Sequence, residues 1–216
     1  SKYFSNDTLG AKMTDQRIDV YLICNAKYHD TNFSRLELLK LLAEHEDVWV
    51  RVADSYADIE AIKKAKLLIT YTCDLCPTEK QQHGLREFLE NGGRWLALHG
   101  TNALVEFVDG KADTPDKAPH LMQSLGSRFV AHPAQQSFTV HVTDEAHPVT
   151  EGIEDFEIDD EPYYCEFFGD NKILLEASYD APSTGYVRSN FGIDRKSQPQ
   201  LYLHPVGEGE VLYMML

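Results

Sequence analysis

Gly93-Arg94-Trp95-Leu96-Ala97-Leu98-His99-Gly100-Thr101 reads as an apolar strand running into a tight turn, with a histidine at the tip. In open α/β sheets ligands collect outside the carboxyl ends of strands, so a polar side chain at such a tip faces a crevice. Hydrolases use a related strand-to-turn elbow to present a Ser or Cys nucleophile. Here the residue is imidazole, which transfers protons near neutral pH and ligates metals.

The chain on either side supports a sheet around that strand. Residues 18–24 are apolar almost throughout and read as a central strand. Thr31 or Asn32 can cap a helix over residues 33–45, with Leu36, Leu39, Leu42 and Ala43 as its apolar face. Residues 48–52 alternate as a second strand, 57–65 form a short helix and 67–72 a third buried strand. Pro77 begins a helix running to Glu90, which Asn91-Gly92-Gly93 stops. This alternation predicts an α/β fold: right-handed crossovers give an open, mostly parallel sheet with helices on both faces. Every loop at a strand's carboxyl end carries polar residues. Beyond residue 104 the pattern shifts to an added β-rich part, with a helix over 115–125 and strands over 136–142, 173–177, 200–203 and 210–216. Gly207-Glu208-Gly209 signals a hairpin between the last two. Residues 1–17 read as a polar N-terminal extension, with Met13 a candidate natural start, and 18–216 as one domain.

Composition narrows the function classes. The 216 residues carry 35 acids against 20 bases, a net charge of −15. No basic patch stands out, which argues against nucleic acid, and the charge repels anionic membranes. No apolar run is long enough to span a bilayer. A homo-oligomer is left open. Cys73-Asp74-Leu75-Cys76 lacks the second pair or spaced histidines of a zinc site. We read its cysteines as ordinary thiols at a strand end, in a reducing, cytoplasmic compartment. Neither a Gly-x-Gly-x-x-Gly after the first strand nor a phosphate-binding Gly-x-x-x-x-Gly-Lys loop is present, so nucleotide binding loses its usual cradle.

Four polar clusters can carry chemistry: Tyr28-His29-Asp30 after the first strand, His99 at the elbow, Arg128-Phe129-Val130-Ala131-His132-Pro133, and Asp159-Asp160-Glu161-Pro162-Tyr163-Tyr164. Each has a bland alternative. His132-Pro133 and His147-Pro148 suit turns, and the nine acids of residues 144–161 suit a solvated surface. His45, His83, His120, His141 and His204 read as surface or strand-face residues with no assigned chemistry. Three histidines and a carboxylate that converge would suit proton transfer or a divalent ion such as Zn²⁺.

Several motifs then fall in a familiar order: Tyr28-His29-Asp30, Gly92-Gly93 with Leu98-His99, Gly126-Ser127-Arg128-Phe129 with His132-Pro133, His147-Pro148-Val149-Thr150-Glu151-Gly152, Asp160-Glu161-Pro162-Tyr163, and Gly207-Glu208-Gly209-Glu210-Val211-Leu212-Tyr213. Together they resemble the trehalose-utilisation (ThuA-like) family from about Ile18 to Leu216. The resemblance implies a flavodoxin-like, class I glutamine-amidotransferase-like fold, with His99 where amidotransferases keep a cysteine. Glutaminase chemistry is therefore not implied. The family usually continues past its last strand with a Gly-His pair and a helix, whereas this sequence stops at Leu216: either that tail lies outside this sequence, where one of its residues would complete the site, or this is a shortened member. Pro162 stands where the family often has Leu, which would redirect that loop.

What the resemblance implies is carbohydrate metabolism, with a sugar or keto-sugar as substrate. A keto-sugar has an acidic C–H beside its carbonyl, so isomerisation, epimerisation, hydration or elimination can follow from one enediolate. On this reading Glu161 is the base, His99 the acid or oxyanion stabiliser, and His29 and His132 orient or ligate. His29, His99 and His132 are the candidate metal ligands, and Tyr28, Asp30, Thr101, Asp160 and Tyr163 the candidate substrate contacts, with Trp95 and Tyr164 beside Tyr28 and Tyr163 as candidate stacking surfaces, although such aromatics more often pack in the core or rim. Two other readings compete: a non-catalytic carbohydrate-binding or regulatory domain, and an amidotransferase relative whose nucleophile is Cys73 or Cys76.

Overall fold

The structure is a computed structural model, and it describes residues 17–216; the expected extension and Met13 fall at or outside that limit. Five strands, β1 (Ile18–Ala26), β2 (Val48–Ala53), β3 (Leu67–Cys73), β4 (Arg94–Leu98) and β13 (Gly209–Met214), lie parallel in the order β2-β1-β3-β4-β13. The sheet continues antiparallel through β12 (Gln198–Val206), β11 (Lys172–Ala177), β8 (Gln136–Val142) and β9 (Phe156–Asp160). The expected mostly parallel sheet is thus parallel in one half only. Of the β-rich part, β8, β9, β11, β12 and β13 join this same nine-stranded sheet.

Central strands must be apolar because helices cover both faces. Helix α1 (Thr31–Leu42) lays Leu38, Leu39 and Leu42 on Val20, Leu22, Ile69 and Leu98. Helices α2 (Ile59–Lys64), α3 (Glu79–Glu90) and α4 (Pro119–Leu125) share the core of the other face, where Ile62, Leu85, Leu89, Trp95 and Leu121 are all at or below 1% exposed. Each such side chain removed from water contributes about 1.5–3 kcal/mol. Gly84 lets α3 approach α2, since a Cβ there would stand 2.3 Å from Ile59 Cγ1.

Side chains rather than apolar periodicity set the helix ends. Asp30, not Thr31 or Asn32, caps α1: its Oδ1 accepts from Phe33 N at 2.9 Å. Leu36 is 52% exposed, so the buried stripe is rotated from the expected one. Thr78 and Gln81 form a reciprocal capping box, so α3 starts two residues after Pro77. Ala118 precedes α4, whose first residue is Pro119 rather than Pro115.

Four short strands have no counterpart in the sequence expectation, β9 aside. They are the hairpin β5 (Glu106–Val108) and β6 (Lys111–Asp113), and the antiparallel pair β7 (Ser127–Ala131) and β10 (Tyr164–Phe167). The last pair matters most. By placing Tyr164 opposite Ala131, it brings the residues after β7 beside those before β10. Among the described residues no helix is long and apolar enough to cross a membrane.

Candidate active site

The chain steps outward from β1 to β2 and then crosses back over β1 to β3, so the direction of winding reverses between β1 and β3 and a crevice opens at their carboxyl ends. Three non-glycine residues with left-handed backbone cluster at these strand ends: Tyr28 (φ 72°), Asp74 (φ 56°) and His99 (φ 47°). Such strain persists only where surrounding structure enforces it. At the elbow that enforcement is visible. Tyr213 Oη donates to the His99 carbonyl at 2.6 Å and accepts from Asn102 N at 2.9 Å. Thr101 Oγ1 donates to the Leu98 carbonyl at 2.9 Å. A Cβ on Gly100 would stand 2.9 Å from both Thr72 O and Cys73 Cβ, so the elbow lies flush on β3.

The elbow aims His99 at a point shared by three other chain segments. His99 Nε2 is 3.0 Å from His29 Nε2, 3.3 Å from Glu161 Oε2 and 3.0 Å from Tyr163 Oη. His132 comes in from β7, with Nε2 3.9 Å from Glu161 Oε1. The loop after β1, the β4 elbow, the end of β7 and the β9–β10 connection therefore meet.

Hydrogen bonds at the far side of each ring decide its tautomer. His29 Nδ1 lies 2.9 Å from the Lys27 carbonyl, His99 Nδ1 2.7 Å from the Met215 carbonyl and His132 Nδ1 2.7 Å from the Pro133 carbonyl. A carbonyl only accepts, so each Nδ1 carries its proton and each Nε2 is left to face Glu161. Two unprotonated Nε2 atoms and a carboxylate oxygen repel one another unless a proton or a cation lies between them. In the ion-free protein, contact with Cys73 and then with Glu161 pushes the His29 pKa up to about 11, which favours a proton on that ring. The same arrangement, through His29 first and then His99, holds the Glu161 carboxyl well below its usual range.

His29, His99 and Glu161 offer three ligand atoms within 4.8 Å of one another. This donor set fits a divalent ion such as Zn²⁺, whose bonds to imidazole and carboxylate are about 2.0–2.2 Å. Backbone carbonyls on the opposite ring nitrogens are the usual outer support of ligating histidines. Glu161, not His132, stands third in that set.

The remaining expected contacts divide. Asp160 lines the cleft, an open depression of about 280 Å³, beside His29, His99, Glu161 and Leu216. Tyr163 is 4% exposed and lies beneath His99, ring centroids 4.6 Å apart, so it supports the imidazole rather than offering a face to a sugar. Thr101 is buried in the elbow. Asp30 is spent on capping α1, and Tyr28 points outward beside Lys27. Trp95 and Tyr164 are core residues. Sequence reasoning missed Tyr71, whose ring lies 6.4 Å from and nearly parallel to that of His99, and Gln135, which lines the cleft. It also missed Tyr186, edge-on to His132. Tyr71 could have been found as a polar-tipped aromatic at the carboxyl end of a central strand. Tyr186 lies in an irregular segment and left no such signal.

The trehalose-utilisation (ThuA) family model matches residues 20–216. The chain belongs to that family. Among solved structures, a protein described as ThuA-like from Bacteroides uniformis superposes with a TM-score of 0.67 at 17% identity, covering 93% of this chain and 82% of that one. Another so described, from Parabacteroides merdae, gives 0.61 at 19% identity, covering 93% and 79%. A β-galactosidase from Rahnella sp. R3 gives 0.60 at 16% identity over 92% of this chain but 28% of the enzyme. These likenesses concern the fold. No curated protein sequence matches the chain. Membership links this ThuA-family chain to trehalose utilisation and carbohydrate metabolism.

Proposed function

We propose that this ThuA-family protein is a cytoplasmic enzyme that moves a proton on a sugar or keto-sugar, through the cleft of His29, His99, Glu161 and His132. The observation that carries the reading is the triple alignment of imidazoles, each with Nδ1 bound to a backbone carbonyl and Nε2 turned toward one carboxylate. A surface cluster of histidines has no reason to share that orientation. The parallel order β2-β1-β3-β4-β13 supports a flavodoxin-like, amidotransferase-related core, and the histidine at its elbow supports a chemistry other than glutamine hydrolysis. The four cysteines are free thiols, in keeping with a reducing compartment.

The geometry redistributes the roles expected from sequence. A carboxylate held as far below its usual range as Glu161 is a weak base but a good anchor for a cation. Glu161 with His29 and His99 would hold a divalent ion, and His132 takes the base role. With its proton on Nδ1, His132 presents an unprotonated Nε2 at the rim of the cleft, its side chain 25% exposed. It removes the proton beside a substrate carbonyl, and the imidazolium so formed returns a proton to the neighbouring carbon or oxygen. A bound ion would supply charge stabilisation for the enediolate oxygen. Asp160 and Gln135 lie where sugar hydroxyls would be held. The ligand class is a small sugar, not a nucleic acid or a membrane surface.

Incubation of Zn²⁺-supplemented protein with a panel of keto-sugars in D₂O tests this by proton NMR. Deuterium should enter beside the carbonyl of at least one member, and His132→Ala should slow that exchange by about 10²-fold or more. Absence of exchange across the panel, or an undiminished rate in His132→Ala, would overturn the reading.

A further inference from the structure

On the opposite face of the sheet from α1, two histidines without an assigned role meet at a helix junction. Glu79 and His83 lie four residues apart on α3 and therefore share one face of that helix, one turn apart. His120 is the second residue of α4, after Pro119. The rings of His83 and His120 stand 4.5 Å apart between centroids, and His83 Nε2 lies 3.8 Å from Glu79 Oε1. One ligand atom from each of the three falls within 4.8 Å of the others.

The helices that present these side chains are fixed relative to each other. Gln82, 5% exposed and one residue before His83, uses its Oε1 to accept from Leu121 N at 3.2 Å and its Nε2 to donate to the Pro77 carbonyl at 3.2 Å. This clasp pins the first turn of α4 to α3 next to the cluster. Glu79 in the first turn of α3 places a negative charge at the positive end of that helix, offsetting its opposition to a cation.

We propose that Glu79, His83 and His120 form a second, solvent-facing site for a divalent transition-metal ion such as Zn²⁺ or Cu²⁺. Two imidazoles and one carboxylate suit this class of ion over Ca²⁺ or Mg²⁺, which take oxygen ligands. Water completes the coordination, since all three residues are exposed. Bound there, the ion clips α3 to α4, whose C-terminal Gly126 leads directly into β7 and so toward His132.

Calorimetric titration of the tag-free chain with Zn²⁺ tests the site, comparing wild type with the double variant His83→Ala/His120→Ala. Wild type should bind one more ion than the double variant, whatever the central cleft binds. Glu79→Gln should weaken that extra ion by about tenfold, or 1.4 kcal/mol. Imidazole NMR of the wild type gives an independent readout: the His83 and His120 ring signals should shift together along one binding curve. Equal stoichiometry in the two proteins, or a shift of only one ring, would overturn the assignment. Ion binding in the central cleft is followed separately through His99→Ala, so failure of one site is distinguishable from failure of the other.

Discussion

His99 shows how much depends on what a side chain's second nitrogen does. Its Nδ1 bond to the Met215 carbonyl commits Nε2 to the cleft, and no property of the local sequence records that 116-residue separation. Replacement of His99 by Ala should lower Zn²⁺ affinity of the central cleft by at least tenfold in calorimetry, leaving the fold intact by circular dichroism. The two shifted groups also set a pH dependence in ion-free protein. Glu161 has a folded pKa below its ordinary 4.5, so the unfolded chain takes up more protons on acidification. Its contribution is present above about pH 4.5 and is lost as pH falls toward the folded value. His29 is raised from 6.5, by Cys73 first and Glu161 second; its contribution is complete below 6.5 and lost as pH rises through about 11. Urea denaturation should therefore find Glu161→Gln less stable than wild type by about 1–3 kcal/mol near neutrality. That gap should narrow progressively as pH falls below about 4.5, toward the depressed folded value. A gap that widens in acid would contradict the assignment of charge.

Among the secondary-structure elements, the elbow and the α1 cap make contrasting cases. Apolar residues 94–98 followed by His-Gly mark the elbow in the sequence, because a buried parallel strand must be apolar and a tight turn beside another strand needs glycine. Gly100→Ala should cost about 1–3 kcal/mol and weaken ion binding in the cleft, since the added methyl meets the Thr72 carbonyl and the Cys73 Cβ of β3, neither of which can swing aside. Asp30 was legible as a polar residue in a site-facing loop, but not as a helix cap. Its two roles differ only in whether the carboxylate turns to Phe33 N or to solvent. Asp30→Ala should lose about 1 kcal/mol in thermal or urea denaturation, with Zn²⁺ affinity of the cleft unchanged. The pair β7–β10 was the element least visible beforehand. Its strands are four or five residues long, and their partnership spans more than thirty residues of chain.

Across the whole molecule, the parallel and antiparallel halves form one sheet hinged on β13, which pairs parallel to β4 and antiparallel to β12. Stability should follow that layout. In native-state hydrogen exchange the slowest amides are expected in β1, β3, β4 and β13, with both faces covered, and the fastest in the exposed β5–β6 hairpin. Protection as low in β4 as in that hairpin would contradict a site built on a rigid frame. The alternation of apolar strands and helices up to residue 98, the histidine at the β4 tip and the family motifs were all readable along the chain. Each rests on local periodicity, on turn chemistry or on residues close in sequence. Three things were not readable: the continuation of one sheet into its antiparallel half, the place of Glu161 rather than His132 beside His29 and His99, and the meeting of His83 with His120. Each depends on contacts between distant segments, where a side chain's direction is set by what packs behind it, and linear order carries no record of that.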